Sequence, residues 1–496
     1  MALKNKNIDR VTIRMYCMGT GDCFVLKFSA GNVEKYTMMI DCGSYSGKAE
    51  AIRPYIEDLK NYIGERGIDV LVVTHEHQDH VNGFQKCKDI FETISIRDAW
   101  FGWPEDPEDP KGRAAELLKK RSRLRQAFSI ARNEYQIRIH EIENNFASDN
   151  NLSVLKKANE AFMAGLTTLA QINLPADDEP ESGESLAGMV AIRDILKKKG
   201  VEIKYLNPGE IIRPQEASGL NFYILGPPWE RDAVFKDGKE GSDVFKKHFS
   251  LNQNVFSADA YCKIGNELSD NDLPFDNQYT VDIKEIDLPA DQQDALYRSN
   301  LKNLISEYNN TSWRNIDYDW ISGVGTLALR LNTHLNNTSL AMAIESEATG
   351  KVLLFPGDAE YGNWESWHLI KQWLKKGKYD KPLAEDLLNR TMFYKVGHHL
   401  SYNGTALEKG INMMPTNNMA AMASLDRKRI SVQWKGTMPN KYLLQDLMSR
   451  TGGKLFIMSE YEIANPPSKK INPKAFGKSY KHDDLENHYI QYTIDL

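Results

Sequence analysis

Chemistry is concentrated in one stretch, Asp69-Val-Leu-Val-Val-Thr-His-Glu-His-Gln-Asp-His-Val-Asn-Gly83, which carries three histidines and an aspartate within six positions. His75 and His77 are two apart in an extended segment, so both can turn to one side and chelate a single metal ion. Asp79 and His80 begin the next element and face a second position. Zn²⁺ is the first choice for such nitrogen and oxygen donors, and Mn²⁺ is compatible with them. Histidines satisfied by hydrogen bonds in a core are the competing explanation, but four ligand-type side chains in so short a motif outweigh it.

These side chains must be delivered by a buried strand, because the apolar run before them is too short and too rich in β-branched residues for a helix. Three short β-rich runs precede it, Val11 to Tyr16, Cys23 to Phe28 and Tyr36 to Ile40, separated by glycine turns. Asp22 either caps its turn or faces the pocket, with the local role favoured. The stretch from Lys48 to Gly64 has helical spacing, and a strand is expected near Ile94 to Phe101. From Thr326 the chain reads as a repeat of this opening, with strands at Leu327 to Leu331, Ser339 to Ile344 and Val352 to Phe355. The last of these runs into Pro356-Gly357-Asp358, and the strand from Met392 to Val396 runs into Gly397-His398-His399. Gly-Asp alone is a common turn, but after a buried strand and before a histidine pair Asp358 becomes a candidate carboxylate bridging two metals. Trp364, Trp367, Ile370 and Trp373 form an apolar stripe expected to be core. The tail reads strand, helix, strand.

The histidine motif resembles the signature of the metallo-β-lactamase superfamily. Met18-Gly-Thr-Gly-Asp-Cys-Phe-Val-Leu26, Met39-Ile-Asp-Cys-Gly43, Asn336-Asn-Thr-Ser-Leu340, Leu353-Leu-Phe-Pro-Gly-Asp-Ala359 and Lys395-Val-Gly-His-His-Leu-Ser401 are similar, in order, to segments of the hydrolase domain of DNA-uptake competence proteins and their soluble relatives. The resemblance implies an α/β (α+β) fold, the four-layer αββα sandwich, and two divalent metal ions. One site would hold His75, His77 and Asp358; the other would hold Asp79, His80, Asp358 and one of His398 and His399. The remaining histidine of that pair would donate a proton to the leaving group or bind an oxyanion, so Asp79, His398 and His399 carry the catalytic expectation. Asp41 would anchor a ligand histidine through its second nitrogen, with a helix cap as its alternative. The chain departs from the pattern twice: no third histidine for the first site precedes Pro227, since His140, His248 and His334 sit in the wrong settings, and Leu400 stands where a glycine is usual.

Matching segments lie at both ends of the 496 residues, so one discontinuous hydrolase domain, 1–103 with 201–496, is expected around a helical insertion at 104–200. Three prolines between Pro104 and Pro110 mark its start, and helices are expected at Arg113 to Ile142, Leu152 to Ala170 and Leu186 to Lys199. This insertion is expected to be removable without loss of the metal site. A second, irregular insertion near 229–319 reads as a lid. Lys119, Lys120, Arg121, Arg123 and Arg125 form a basic strip that either contacts phosphates or is a solvated helix face. The net charge of −6 provides no global basic field, so any nucleic-acid site must be local. Five cysteines without a Cys-x-x-Cys pair, and no run of about 18 apolar residues, suggest a cytoplasmic protein without a membrane partner. The functional expectation is a metal-dependent phosphodiesterase or nuclease. The alternatives are a hydrolase of a small lactone, thioester or phosphoester, and a metal-stapled scaffold whose helical insertion binds a protein partner.

Overall fold

In the β1 strand Arg10–Tyr16, Val11, Ile13 and Met15 point one way, and the same alternation recurs in β2 (Phe24–Ala30) and β3 (Val33–Ile40). Side chains two apart share a face of a strand, so each strand offers an apolar face to a second sheet. The computed structural model describes residues 7–45, 48–145, 152–174, 186–236, 323–375, 381–416, 419–430, 438–458, 480–482 and 488–496, with short helical pieces within 299–307. By internal contacts the chain divides into two units. The first comprises Met1–Ser122, Glu160–Phe249 and Arg330–Leu496, and the second Arg123–Asn159 and Ser250–Leu329.

The first unit carries two mixed sheets. One has the order β14-β15-β1-β2-β3-β4-β5-β6, where β4 is Ile68–Val73, β5 Ile96–Gly102, β6 Ile203–Leu206, β14 Tyr480–His482 and β15 Tyr489–Asp495. The other runs β13-β12-β11-β10-β9-β8-β7, where β7 is Ile211–Ile212, β8 Leu220–Ile224, β9 Met342–Ser346, β10 Val352–Phe355, β11 Thr391–Lys395, β12 Ala420–Ala423 and β13 Leu455–Ile457. Three apolar clusters define the layers. One lies between the sheets. A second joins the first sheet to the helices Ala49–Ile63, Gln78–Lys86 and Ala187–Lys199. The third joins the second sheet to Tyr361–Trp367, Leu383–Asn389 and Lys441–Arg450. This is the four-layer α/β sandwich of metallo-β-lactamase type. Trp364, Trp367, Ile370 and Trp373 are buried in its third cluster. No helix among the described residues is long and apolar enough to cross a membrane.

The two halves use one pairing plan. β1, β2 and β3 are antiparallel and β4, β5 and β6 follow in parallel; β8, β9 and β10 are antiparallel and β11, β12 and β13 follow in parallel. The strand expected at Leu327 to Leu331 is instead part of the helix Gly323–Asn336. Ala328, Leu331 and Leu335 are buried at helical spacings, a pattern that a short apolar run does not distinguish from a strand. The strand that opens the second half is β8, so the expected lid segment is inserted between the first and second strands of that half. Most of that segment lies outside the described residues. β15 was also not anticipated: it returns the chain to the first sheet, antiparallel to β1.

The helix Ala187–Lys199 packs on Gln78–Lys86, the helix whose first turn holds Asp79 and His80. Gly188 makes that contact possible, because a Cβ there would lie 2.5 Å from the Val81 carbonyl oxygen. Gly188→Ala must therefore push the two helices apart, at about 1–3 kcal/mol for overpacking. Denaturant unfolding should show a lower midpoint, and a midpoint equal to the parent's would refute the packing argument.

Candidate metal centre

Strand ends supply the site. β4 ends at Val73 and hands on Thr74, His75 and His77; β3 is followed by Asp41, β10 by Asp358, and β11 by His398 and His399. His75, His77, Asp79, His80, Asp358, His398 and His399 are all buried here. Asp41 accepts hydrogen bonds from the Thr74 amide (2.7 Å), the Thr74 hydroxyl (2.5 Å) and His80 Nδ1 (2.8 Å). This leaves His80 Nε2 pointing at Asp358 Oδ2, 3.2 Å away. His399 Nδ1 donates to the Ser424 carbonyl (3.1 Å), and its Nε2 lies 3.2 Å from Asp358 Oδ2 and 3.3 Å from Asp79 Oδ2. His80 Nε2, His399 Nε2 and Asp79 Oδ1 are buried without a well-formed hydrogen bond.

The other two histidines show the same need for a cation. His77 Nε2 donates to Asn173 Oδ1 at 2.9 Å; the Asn173 amide is oriented by its own bond to the Leu169 carbonyl, so His77 Nδ1 carries a lone pair. The Thr74 hydroxyl spends its proton on Asp41 and can only accept from His75 Nδ1 at 3.1 Å, so His75 Nε2 also carries a lone pair. These two nitrogens face each other at 2.9 Å. Two bare lone pairs at that separation repel unless a proton or a metal ion lies between them. This donor chemistry, nitrogen lone pairs and carboxylate oxygens converging out of water, suits a divalent cation.

Burial pushes His75 well below its usual range, and brings His77 and His398 down to about 4. Burial also opposes charge on His80 and His399, but the carboxylates around them, Asp358 foremost, outweigh it. They raise His80 well above the imidazole range and His399 to about 9. Burial opposes charge on both acids, but Asp358 is held well below the carboxylate range by His399, Lys395 and His80, and Asp79 at about 2 by the neighbouring imidazoles, His399 foremost.

Of the histidine pair, His399 joins the carboxylates and His398 forms the cleft wall. His398 Nε2 faces Asn336 Nδ2 at 3.3 Å, and that amide is oriented by its 2.7 Å bond to Glu360. Its Nδ1 lies 3.0 Å from the Ser401 hydroxyl and 3.3 Å from Glu360 Oε1. Both ring nitrogens are engaged, so a substrate oxygen must displace Asn336 to reach His398. The cleft is also lined by Thr20, Tyr45, Ile172, Asn332 and Ile430. Among the described residues no third histidine joins His75 and His77. His140 is exposed, His334 is buried with its ring stacked on Phe235, and His248 lies outside the described residues.

The basic strip does not form one surface. Arg121 is fully buried, ion-paired with Glu76 at 2.8 Å and Glu105 at 2.7 Å, and so cannot be a phosphate contact. Arg125 is buried as well, Lys120 stands over the Phe235 ring, and Lys119 and Arg123 are exposed. Arg121 and Asn173 both come from the segment expected to be removable, yet they brace Glu76 and His77 of the metal loop.

Lys395 and Asn173 escaped the sequence reading as site residues, and Asp22, for which the turn role was favoured, lies at the site. Lys395 left a signal, since a lysine closing an apolar strand needs a buried anion; Asn173 left none. A family model described as the metallo-beta-lactamase superfamily matches residues 19–100, which span Asp22, Asp41 and the whole histidine motif. No curated protein and no solved structure matches the chain.

Ligation requires neutral imidazoles, so loading must expel the protons held on His80 and His399. Metal affinity should rise with pH up to about 9, by roughly tenfold per pH unit for each proton expelled. Calorimetry in buffers of different ionisation enthalpy reads that release, and affinity independent of pH would contradict it. Asn173→Ala, which unfixes the His77 tautomer, should weaken binding roughly 10–100-fold in a chelator competition; unchanged affinity would show that Asn173 is not the support.

Proposed function

We propose that the protein is a metal-dependent hydrolase whose substrate is a phosphoester that can enter a covered cleft, with phosphodiester cleavage as the first form of the reaction. The observation that carries this reading is the convergence of His75, His77, Asp79, His80, His399 and Asp358, whose free donor atoms face one another and not protein partners. Divalent ions held there, Zn²⁺ first and Mn²⁺ second, would polarise an electrophilic phosphorus or carbonyl and make water nucleophilic near neutral pH. The chain orients the ligands through Asp41, Thr74, Asn173 and Ser424. His398, held near 4 by burial and engaged on both nitrogens, shapes the cleft wall.

Nuclease action is the polymer form of this reaction. It is weakened by the burial of Arg121 and Arg125, which leaves a short cationic surface for a phosphate backbone. A hydrolase of small lactones or thioesters is the second reading, favoured by the apolar contribution of Ile172, Ile430 and Tyr45 to the cleft.

The metal-loaded protein should hydrolyse bis(p-nitrophenyl) phosphate, and Asp79→Ala should lose that activity while keeping its fold. A panel of single-stranded DNA, duplex DNA, RNA and a lactone separates the forms. Preference for the lactone would select the second reading, and turnover of nucleic acid with a steep salt dependence would select the nuclease. No turnover of any ester by protein holding two ions per chain would refute the hydrolase.

A further inference from the structure

Asp22 and Lys395 take no part in the function proposed above, yet they lie at the heart of the centre. They come from opposite halves of the fold, Asp22 from the loop between β1 and β2 and Lys395 from the end of β11, and both are about 1% exposed. The Lys395 ammonium lies 2.5 Å from Asp22 Oδ2, 3.0 Å from Asp358 Oδ1 and 2.9 Å from the Gly357 carbonyl oxygen. An ammonium has three N–H donors, and here it meets three acceptors, so its capacity is filled.

This arrangement determines what the carboxylates can do. Asp358 Oδ1 takes Lys395 and the His398 amide (3.2 Å), which leaves Oδ2 as the oxygen 3.2 Å from both His80 Nε2 and His399 Nε2. Asp22 has its Oδ2 on Lys395, and its Oδ1 accepts the Ser424 hydroxyl, which in turn lies 3.0 Å from His399 Nδ1. By distance alone Asp22 belongs to the ligand set, since Asp22, His80, Asp358 and His399 each place a donor atom within 4.8 Å of the others. Its contacts point away from the shared centre: each of its oxygens already accepts a hydrogen bond, from Lys395 or from Ser424, and it approaches Nδ1 of His80 (3.7 Å) and of His399 (4.0 Å), not the Nε2 atoms that face Asp358.

We propose that Lys395 is a positioning residue that restricts Asp358 to one metal-facing oxygen and keeps Asp22 out of the coordination shell. The second ion is then held by Asp79, His80, His399 and a single oxygen of Asp358. The inference rests on the reading of this cluster as a metal centre. Its chemical consequence is selectivity. Four donors of mixed nitrogen and oxygen suit Zn²⁺ or Co²⁺, whereas two freed carboxylates would add oxygens and favour ions of higher coordination number such as Mn²⁺.

Co²⁺ is the probe, because its visible absorption is strong when four-coordinate and weakens as ligands are added. Asp22→Asn leaves Lys395 on Asp358; it should bind two Co²⁺ per chain with the parent spectrum and an affinity within about tenfold, as expected of a support that is not a ligand. Lys395→Met should give weaker, shifted bands and a Zn²⁺ over Mn²⁺ preference reduced by about tenfold or more, because a ligand set richer in oxygen favours the harder ion. Lys395→Arg, which keeps the charge, should stay nearer the parent. If Lys395→Met does not fold, Asp22→Asn/Lys395→Met takes its place, since it leaves no unpaired carboxylate on Asp22. Loss of an ion or an altered spectrum in Asp22→Asn makes Asp22 a ligand and overturns the proposal. A parent-like spectrum and metal preference after loss of Lys395 overturn it too. Failure of the parent itself to bind Co²⁺ would instead refute the metal centre, so the two failures are distinguishable.

Discussion

Asp22, Asp41, Asp79 and Asp358 are buried together where the two sheets end, and carboxylates out of water persist only when positive charge or hydrogen-bond donors answer them. The answer differs for each. Asp41 is satisfied by Thr74 and His80, and Asp22 by Lys395 and Ser424. Asp358 is satisfied on one oxygen by Lys395 and the His398 amide. Among the described residues Asp79 faces the His399 imidazole and the second oxygen of Asp358 faces His80 and His399, so protons on those rings, or a metal ion in their place, balance this side of the centre. The two ends of the chain have to meet around this balance, because Asp22 and Asp41 belong to the first sheet and Lys395, Asp358 and Ser424 to the second.

Bringing the groups to one point costs backbone strain. Asp41, His398, His399 and Leu400 all have positive φ, at 55°, 44°, 49° and 65°. A side chain in the left-handed region costs roughly 1–2 kcal/mol, and such residues persist where the surroundings over-determine them. The surroundings here are specific: the His398 amide binds Asp358, the Leu400 carbonyl accepts the Asn440 amide, and the Leu400 side chain is buried in the outer cluster of the second sheet. Leu400 thus adopts a conformation natural to glycine and compensates through packing. On the other side of the centre the strain is avoided and a side chain forgone. Gly43 lets the chain pass so close to Asp79 and His80 that a Cβ would come within 2.2 Å of the Asp79 carbonyl carbon.

What could be read from the residues followed from locality. The His75 to His80 motif is contiguous, and the strands before Asp41, Asp358 and the His398/His399 pair announce themselves as short apolar runs ending in polar ones. Leu327 to Leu331 misled because five apolar-rich residues fit a strand as well as one face of a helix, and only the burial of Leu335 farther on discriminates them. Asp22 was weighed between turn and pocket because the deciding partner, Lys395, is hundreds of positions away. Arg121 looked like surface because its neighbours are basic; what buries it is a pair of glutamates, one within the metal motif and one in the proline-rich segment. Long-range charge pairing leaves little trace in local sequence.

Those same glutamates alter the meaning of the added helices. Glu105 is shared between Arg121 and Arg193, and Arg193 also donates to the Tyr205 hydroxyl in β6, so a chain of ion pairs and one hydrogen bond runs from β6 to Glu76, the residue between His75 and His77. Removing one member of such a network strands the charge of the next, which makes the helical segment hard to separate from the metal loop. Farther along that segment Asn173 sets the His77 tautomer, Gln78 donates to the Leu174 carbonyl, and Ile172 lines the cleft. The additional helices therefore contribute to the site, Asn173 behind His77 and Ile172 in the cleft wall. Under the proposed function a substrate enters beside Ile172, so the segment with no counterpart in the motif pattern is placed to influence which substrate is accepted.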